Sequence, residues 1–182
     1  MKNLTKLFLG LLLAGIIFTG CKEATELADV KFTANFEDTL SVVVTPATGL
    51  KAGNGVFSET ITIDPTSDSD FDKYLNNIKG IDINEVSGLV LIVNPNVTLS
   101  STVLTVSNDT RNATWEFDVL PIEAGTVLIL DNADGQWDTI EEILMDKKVF
   151  TVSINGQASE ESADFLVLVK INSEVLANPI SS

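Results

Sequence analysis

Alternating apolar and polar residues recur along most of the chain beyond residue 29. Val30, Phe32, Ala34 and Phe36, for example, are each separated by one polar residue. Successive side chains of a strand point to opposite faces, so this period of two predicts strands that are buried on one side. We expect nine or ten short strands, the one at 165–171 being central because it is nearly all apolar. Turns are expected at Asp38-Thr39, Asn94-Pro95-Asn96 and Asn155-Gly156, and a kink at Ser100-Ser101.

Two stretches change to the period of a helix. Apolar residues follow Phe71 at the third, fourth and seventh positions, and Gly80 stands where a helix would stop. Further on, Asp138 and Glu141 have the spacing of a capping box ahead of an apolar stripe. The whole pattern predicts an all-β fold, a β-sandwich of immunoglobulin-like architecture with two short crossover helices. The alternative is an α+β open sheet.

The first twenty residues break the strand pattern. Lys2 and Lys6 precede an uncharged apolar run at 7–18, and Gly20 precedes Cys21. A positive start, an apolar run and a small residue before the cut are typical of a secretory signal peptide. The run is shorter than the roughly 20 residues that a membrane-spanning helix needs. We therefore expect a cleaved signal at 1–20, a tether at 21–28 and one domain at 29–182.

The run Phe18-Thr19-Gly20-Cys21 resembles the lipobox of bacterial lipoproteins, in which Leu is usual at the first position. The resemblance implies that Cys21 carries lipid on its sulfur, that the signal is cut before it and that the new N-terminus is acylated. Two or more acyl chains anchor a protein stably. Cys21 is also the only Cys of the chain, which rules out an intrachain disulfide.

The residues after Cys21 bear on location. Lys22 stands where an Asp would, in enteric lipoproteins, signal retention at the inner membrane, so the resemblance implies the outer membrane. The charged residues that follow look like the tract of surface-exported lipoproteins of the Bacteroidota. We favour the surface face and leave the periplasmic face open.

The charge of the chain excludes several partners and chemistries. The formal net charge is −15, from 26 acidic and 11 basic residues, and there is no His. A surface this acidic repels nucleic acid, so we expect no nucleic-acid partner. Without His, Ser-His-Asp catalysis and zinc sites that need imidazole are excluded. A glycosidase needs only two carboxylates, but nothing singles out a pair. We expect a protein that is not an enzyme.

One stretch partly matches a calcium-binding loop. The pattern D-x-[DN]-x-[DN]-G-x5-E fits 130–141 except at its first position, which is Leu130. A turn with Gly135 at positive φ, followed by a helix capped by Asp138, explains the same residues, and we favour it. We therefore predict no cofactor, with Ca²⁺ as the alternative. Its candidate ligands are Asn132, Asp134, Asp138 and Glu141.

Two triplets, Asp38-Thr39-Leu40 and Asp138-Thr139-Ile140, resemble the O-glycosylation motif of exported Bacteroidota proteins. Thr39 and Thr139 are the implied acceptors. Of the two tryptophans, Trp115 alternates with apolar residues and is expected in the core. Trp137 lies at a turn and is expected to be more exposed.

These observations favour a non-catalytic binding or accessory β-domain, anchored by lipid at the outer membrane. Its partner would be an envelope protein or a glycan. The alternatives are a polysaccharide-active enzyme with paired carboxylates and a Ca²⁺-stabilised glycan-binding module.

Overall fold

The structure is a computed structural model and describes residues 29–48 and 54–179; the predicted signal and the whole tether, with Cys21, lie outside them. Within these ranges no helix is long and apolar enough to cross a membrane. The helices are α1 (Ser69–Tyr74) and α2 (Gln136–Met145), with 3-10 turns at Pro65–Ser67 and Leu75–Asn77. The strands are β1 (Val30–Pro46), β2 (Gly55–Ile63), β3 (Ile78–Asn94), β4 (Val97–Ser107), β5 (Asn112–Ile122), β6 (Val127–Ile129), β7 (Phe150–Ala158) and β8 (Ala163–Ala177).

The strands pair as the two arms of one long hairpin would. β1 pairs with β8, β2 with β7, β3 with β6 and β4 with β5, always antiparallel. Two further pairings, β3 with β8 and β4 with β7, roll this hairpin up. The resulting order is β5-β4-β7-β2-β1-β8-β3-β6. An eight-stranded antiparallel sheet rolled in this way is a jelly roll, which combines two Greek keys.

The sheet has two halves joined at a narrow corner. The first half contains β1, β8, β3 and β6, and the second contains β2, β7, β4 and β5. Only Thr45↔Val56 and Pro46↔Gly55 connect them by strand pairing. The sheet curls at this corner, so that rings from the inner faces of both halves meet. Their centroids are 6.4 Å apart for Phe36 and Phe150 and 5.4 Å apart for Phe57 and Phe165.

The prediction of an all-β fold with two crossover helices is confirmed. α1 leads from β2 to β3 and α2 from β6 to β7, so each helix crosses from one half to the other. β8 lies inside the first half, as its apolar sequence predicts. The strand order is that of a jelly roll rather than of an immunoglobulin domain, and the described residues form eight strands, not nine or ten.

Two predicted turns lie inside strands, which is why fewer and longer strands are found. Asp38-Thr39 is part of β1, which pairs with β8 without a break from Val30↔Ala177 to Val44↔Ala163. Asn155-Gly156 is part of β7. A methyl group on Gly156 would lie 2.8 Å from Thr102 Oγ1 and 2.9 Å from Phe57 Cζ. This Gly permits a close approach across the core rather than a turn.

The kink predicted at Ser100-Ser101 is confirmed. Ser101 has a φ of 47°, and the pairing of β4 with β7 shifts register between Ser100 and Val103. The first helix is shorter than predicted. It ends at Tyr74, Ile78 already begins β3, and Gly80 lies in that strand instead of stopping a helix. Pairing with β8 evidently overrides the helical period of these residues.

We predict that the corner between the halves tolerates no side chain at Gly55. A methyl group there would lie 2.2 Å from Val44 Cγ1 and 2.5 Å from the carbonyl oxygen of Glu160. Overpacking of this kind typically costs about 1–3 kcal/mol. Gly55→Ala should lower the free energy of unfolding by that amount in a urea titration. Gly80→Ala is the control, because nothing lies within 4 Å of the added methyl group. Equal unfolding midpoints for the two variants would contradict this account of the corner.

Candidate functional site

A cavity of about 470 Å³ opens where the two edge strands of the curled sheet, β5 and β6, face the same side of the molecule. We call it the edge cleft. Its walls are residues 114–117 of β5, Ile129 of β6, and Asp131, Ala133, Asp134 and Gln136 from the segment that follows β6. A volume of several hundred Å³ is ordinary for a ligand site.

Two indole groups hold the segment that forms one wall of the edge cleft. Trp115 Nε1 donates a hydrogen bond of 2.8 Å to the carbonyl oxygen of Asp131. Trp137 Nε1 donates one of the same length to the carbonyl oxygen of Leu130, whose side chain is fully buried. Trp115 belongs to β5 and Trp137 to α2, so two different elements fix consecutive peptide groups. The prediction that Trp115 lies in the core is confirmed, and Trp137 is half-buried.

Two polar side chains of this segment accept hydrogen bonds from its own backbone and so fix its conformation. Asn132 Oδ1 accepts from the backbone N–H of Trp137 at 2.8 Å. Gln136 Oε1 accepts from the backbone N–H of Asp134, also at 2.8 Å. Gly135 has a φ of 78°, a conformation that favours Gly, as the turn interpretation predicts. The wall of the edge cleft is thus a turn whose conformation is fixed by its own hydrogen bonds.

Two residues of the calcium pattern, Asn132 and Glu141, bind backbone groups with their side chains. Glu141 Oε1 accepts from the backbone N–H of Ile83 in β3 at 3.0 Å, and Asn132 binds the backbone as described. The predicted capping role of Asp138 is wrong: the capping position is Gly135, and Asp138 lies in the first turn of α2. The helix begins earlier because Gly135 can adopt the left-handed conformation. In the described ranges, no three His, Cys, Asp or Glu side chains are grouped so as to hold a metal ion.

Helix α2 is fixed from a second direction by the β4–β5 connection. Arg111 donates from Nε to Glu142 at 2.7 Å and from Nη1 to Asp146 at 2.9 Å. Asn108 Nδ2 donates to the same Asp146 carboxylate at 2.8 Å. Hydrogen bonding to Glu142, together with the charge of Asp146, raises the pKa of the Arg111 guanidinium above its usual value. The helix that follows the cleft wall is therefore tied to the hairpin that carries β5.

The lining of the edge cleft combines carboxylates with apolar side chains. Glu116, Asp131 and Asp134 are exposed, and no Lys or Arg is among the lining residues. Ile129 is 75% exposed, and Phe117 packs partly against the core. A ligand that fits this lining would offer positive charge or hydrogen-bond donors beside apolar groups.

The backbone of β5 faces the edge cleft with unpaired groups. In the hairpin that joins β4 to β5, the N–H of Asn108 donates to the carbonyl oxygen of Arg111. Hydrogen-bonded and non-bonded pairs alternate along antiparallel strands, so Thr114 and Glu116 point their N–H and C=O groups away from β4. Gln136 Nε2 indeed approaches the carbonyl oxygen of Thr114 at 3.4 Å from that side. No strand of the described residues pairs with Glu116 there.

A second groove, of about 460 Å³, lies on the outer face of the first half. Its polar groups largely satisfy one another. Asn172 Nδ2 donates to Asn35 Oδ1 at 2.6 Å, and Lys170 forms an ion pair of 3.2 Å with Glu37. Cross-strand pairs of this sort stabilise a sheet face, and they leave fewer free groups than the edge cleft does.

The other predicted sites lie apart from the edge cleft. Thr39 is half-buried in the middle of β1, and its backbone N–H donates to Asp38 Oδ1 at 2.7 Å. Thr139 is half-buried in α2, and its hydroxyl donates to the carbonyl oxygen of Gly135 at 3.2 Å. Cys21 lies outside the described residues. Among the described residues, Asp134 is the one sequence-predicted candidate that lines the edge cleft.

Sequence reasoning missed the other residues of the edge cleft, including Glu116, Ile129, Asp131 and Gln136. One signal could have pointed to the open edge. Glu116, Asp118 and Pro121 stand in one strand, and charged residues and Pro are typical of edge strands.

Comparisons with known proteins find little. No family model matches the chain, and no curated protein matches it. Among solved structures, the chain is similar to the decameric BFDV capsid protein, at 9% sequence identity and a TM-score of 0.44. The match covers 80% of this chain and 99% of that one.

We predict that the indole of Trp115 holds the wall of the edge cleft in place. Trp115→Phe leaves the carbonyl oxygen of Asp131 without its donor, which typically costs about 1–3 kcal/mol when the group is shielded from water. The free energy of unfolding should fall by that amount, and hydrogen exchange at the N–H groups of Asp134 and Trp137 should quicken. Tyr74→Phe, which removes one polar atom from α1, should leave exchange at both groups unchanged. Exchange that does not respond to Trp115→Phe would show that the indole does not hold this segment.

Proposed function

We propose that this chain is a lipid-anchored envelope protein whose β-domain works by binding, not by catalysis, with the edge cleft as its contact surface. The observation that carries the proposal is the rigid wall of the edge cleft, which two indole hydrogen bonds fix in place. This wall lies beside the open edge of β5. A rigid surface loses little conformational entropy when a partner binds.

The chemistry of the edge cleft supports binding over hydrolysis. Three carboxylates line it, which is the feature that a polysaccharide-active enzyme would share. The general acid of such an enzyme is kept protonated by apolar surroundings. Glu116, Asp131 and Asp134 are all exposed to solvent, and none of them is enclosed by apolar side chains. The absence of His from the whole chain removes the commonest general base as well.

The start of the domain supports a position close to a membrane. Asp29 accepts hydrogen bonds from Lys79 at 2.8 Å and from Asn178 at 2.6 Å, and the bond from Lys79 lowers the pKa of its carboxyl group. Asn178 in turn donates from its backbone N–H to Asn77, just after α1. A tether of residues 22–28 reaches about 23 Å when extended. Lipid on Cys21 would therefore hold the edge cleft within reach of partners at the same membrane, an envelope protein or a glycan.

Lipidation of Cys21 is tested by metabolic labelling with an alkyne-bearing fatty acid. We expect the full chain to take up the label and to fractionate with outer membranes, since two or more acyl chains give stable anchoring. Cys21→Ser should lose the label and keep residues 1–20. Lys22→Asp, produced in an enteric host, should keep the label but remain with the inner membrane. A wild-type chain that carries no label would overturn the anchoring proposal. If the chain is labelled, protease treatment of intact cells separates the surface face of the outer membrane from the periplasmic face.

The edge cleft as contact surface is tested by a photoreactive amino acid placed at Ile129 in producing cells. We expect a discrete crosslinked species, because Ile129 is 75% exposed in the cleft wall. The matched control is Val43, an apolar residue of β1 that is 58% exposed and does not line the cleft. Crosslinks that are the same at both positions, or missing at Ile129, would remove the cleft as the contact surface.

A further inference from the structure

We infer that the edge cleft accepts an extended basic segment of a partner protein, which pairs with β5 as an additional strand. The inference rests on the proposed binding function and names the class of partner. Strand addition to an open edge is a recurring mode of peptide recognition, in which main-chain hydrogen bonds provide affinity and side-chain pockets provide specificity.

The first support is the free backbone of β5. Thr114 and Glu116 point their N–H and C=O groups into the edge cleft, as the hairpin register requires. The amide of Gln136 approaches the carbonyl oxygen of Thr114 at 3.4 Å, where the N–H of a paired strand would otherwise lie. Gln136 thus stands at the first position of the missing strand, and the edge continues unpaired at Glu116.

The second support is charge. Glu116, Asp131 and Asp134 line the cleft, Asp118 follows on β5, and no basic residue is among the lining. A second copy of β5 would bring Glu116 and Asp118 against the same residues of its partner, and like charges across a strand pair repel. A segment with Lys or Arg would instead face these carboxylates. The edge therefore disfavours its own copies and favours a basic chain.

The third support is the alternation of the lining. Glu116 lies opposite Val103 of β4, and its exposed side chain is on the outer face of the sheet. The next residue, Phe117, packs against the core, and Ile129 lies across the cleft. Side chains of an added strand alternate in the same way. The fitting segment thus alternates basic residues, beside Glu116, with apolar residues, beside Phe117 and Ile129.

The test uses the full chain in detergent and a fluorescein-labelled peptide of alternating Lys and Val, with binding followed by fluorescence anisotropy at about 0.15 M salt. A peptide of alternating Glu and Val should not bind. A Lys–Val peptide with methylated amides on one edge keeps its charge but loses its donors, and it should bind at least about tenfold more weakly. Hydrogen exchange at the N–H of Glu116 should slow when the unmodified peptide is bound.

Two paired variants separate the site from the general acidity of the chain. The double variant Asp131→Asn, Asp134→Asn should bind the Lys–Val peptide about three- to tenfold more weakly. Glu160→Gln with Asp164→Asn makes the same change of charge at exposed residues outside the cleft and should have no effect. Equal weakening by both pairs would overturn the edge cleft as the site of binding. Equal binding of the methylated peptide would overturn strand pairing. Crosslinks at Ile129 without any binding of the Lys–Val peptide would leave the proposed binding function standing and overturn only the basic strand.

Discussion

A sheet that rolls up without closing must end in two free edges, and this constraint shapes the whole molecule. The corner at Thr45–Val56 and Pro46–Gly55 turns the sheet so that its two inner faces meet in one core. The same turn brings the last strands of both halves, β5 and β6, to one side. Free edges expose unpaired backbone groups, which any other strand could meet. The edge cleft is thus a consequence of the fold, and the side chains around it determine what can use it.

The side chains at the edge cleft also stabilise the irregular segment between β6 and α2. Trp115, in the core, and the half-buried Trp137 each donate to a backbone carbonyl oxygen of this segment, at Asp131 and Leu130 respectively. Buried backbone groups are costly to leave unpaired. The tryptophans therefore allow the chain to leave β6 and enter α2 through a tight, irregular segment. Asn132 and Glu141, which suggest a calcium loop in the sequence, also accept hydrogen bonds from backbone N–H groups, at Trp137 and Ile83.

Local patterns predict what local forces decide. The half-buried strands, the central β8 and the kink at Ser101 all follow from alternation, composition or turn residues within a few positions. The patterns fail where distant pairing prevails. Asp38-Thr39 predicts a turn, but β1 continues through these residues because β8 pairs with it along its length. Asn155-Gly156 reads as a turn, but its Gly makes room for Thr102 and Phe57.

The edge cleft could not be predicted for the same reason. Glu116, Ile129 and Gln136 come from three elements, and only the roll of the sheet brings them together. The acidic composition is visible in the sequence, but its arrangement at one open edge is not.

The two halves protect their edges in different ways, and the difference decides which edge can take a partner. In the first half, β6 is only three residues long, and beyond it α2 covers β3, where Glu141 binds the N–H of Ile83. Short strands and covered backbone exclude every partner alike. In the second half, β5 has eleven residues and relies on Glu116 and Asp118. Charge excludes selectively: it repels copies of this acidic chain and other anionic strands, but it attracts a basic one. An edge that only had to be closed could have been covered as β3 is, so the long charged edge of β5 fits the proposed binding of a basic strand.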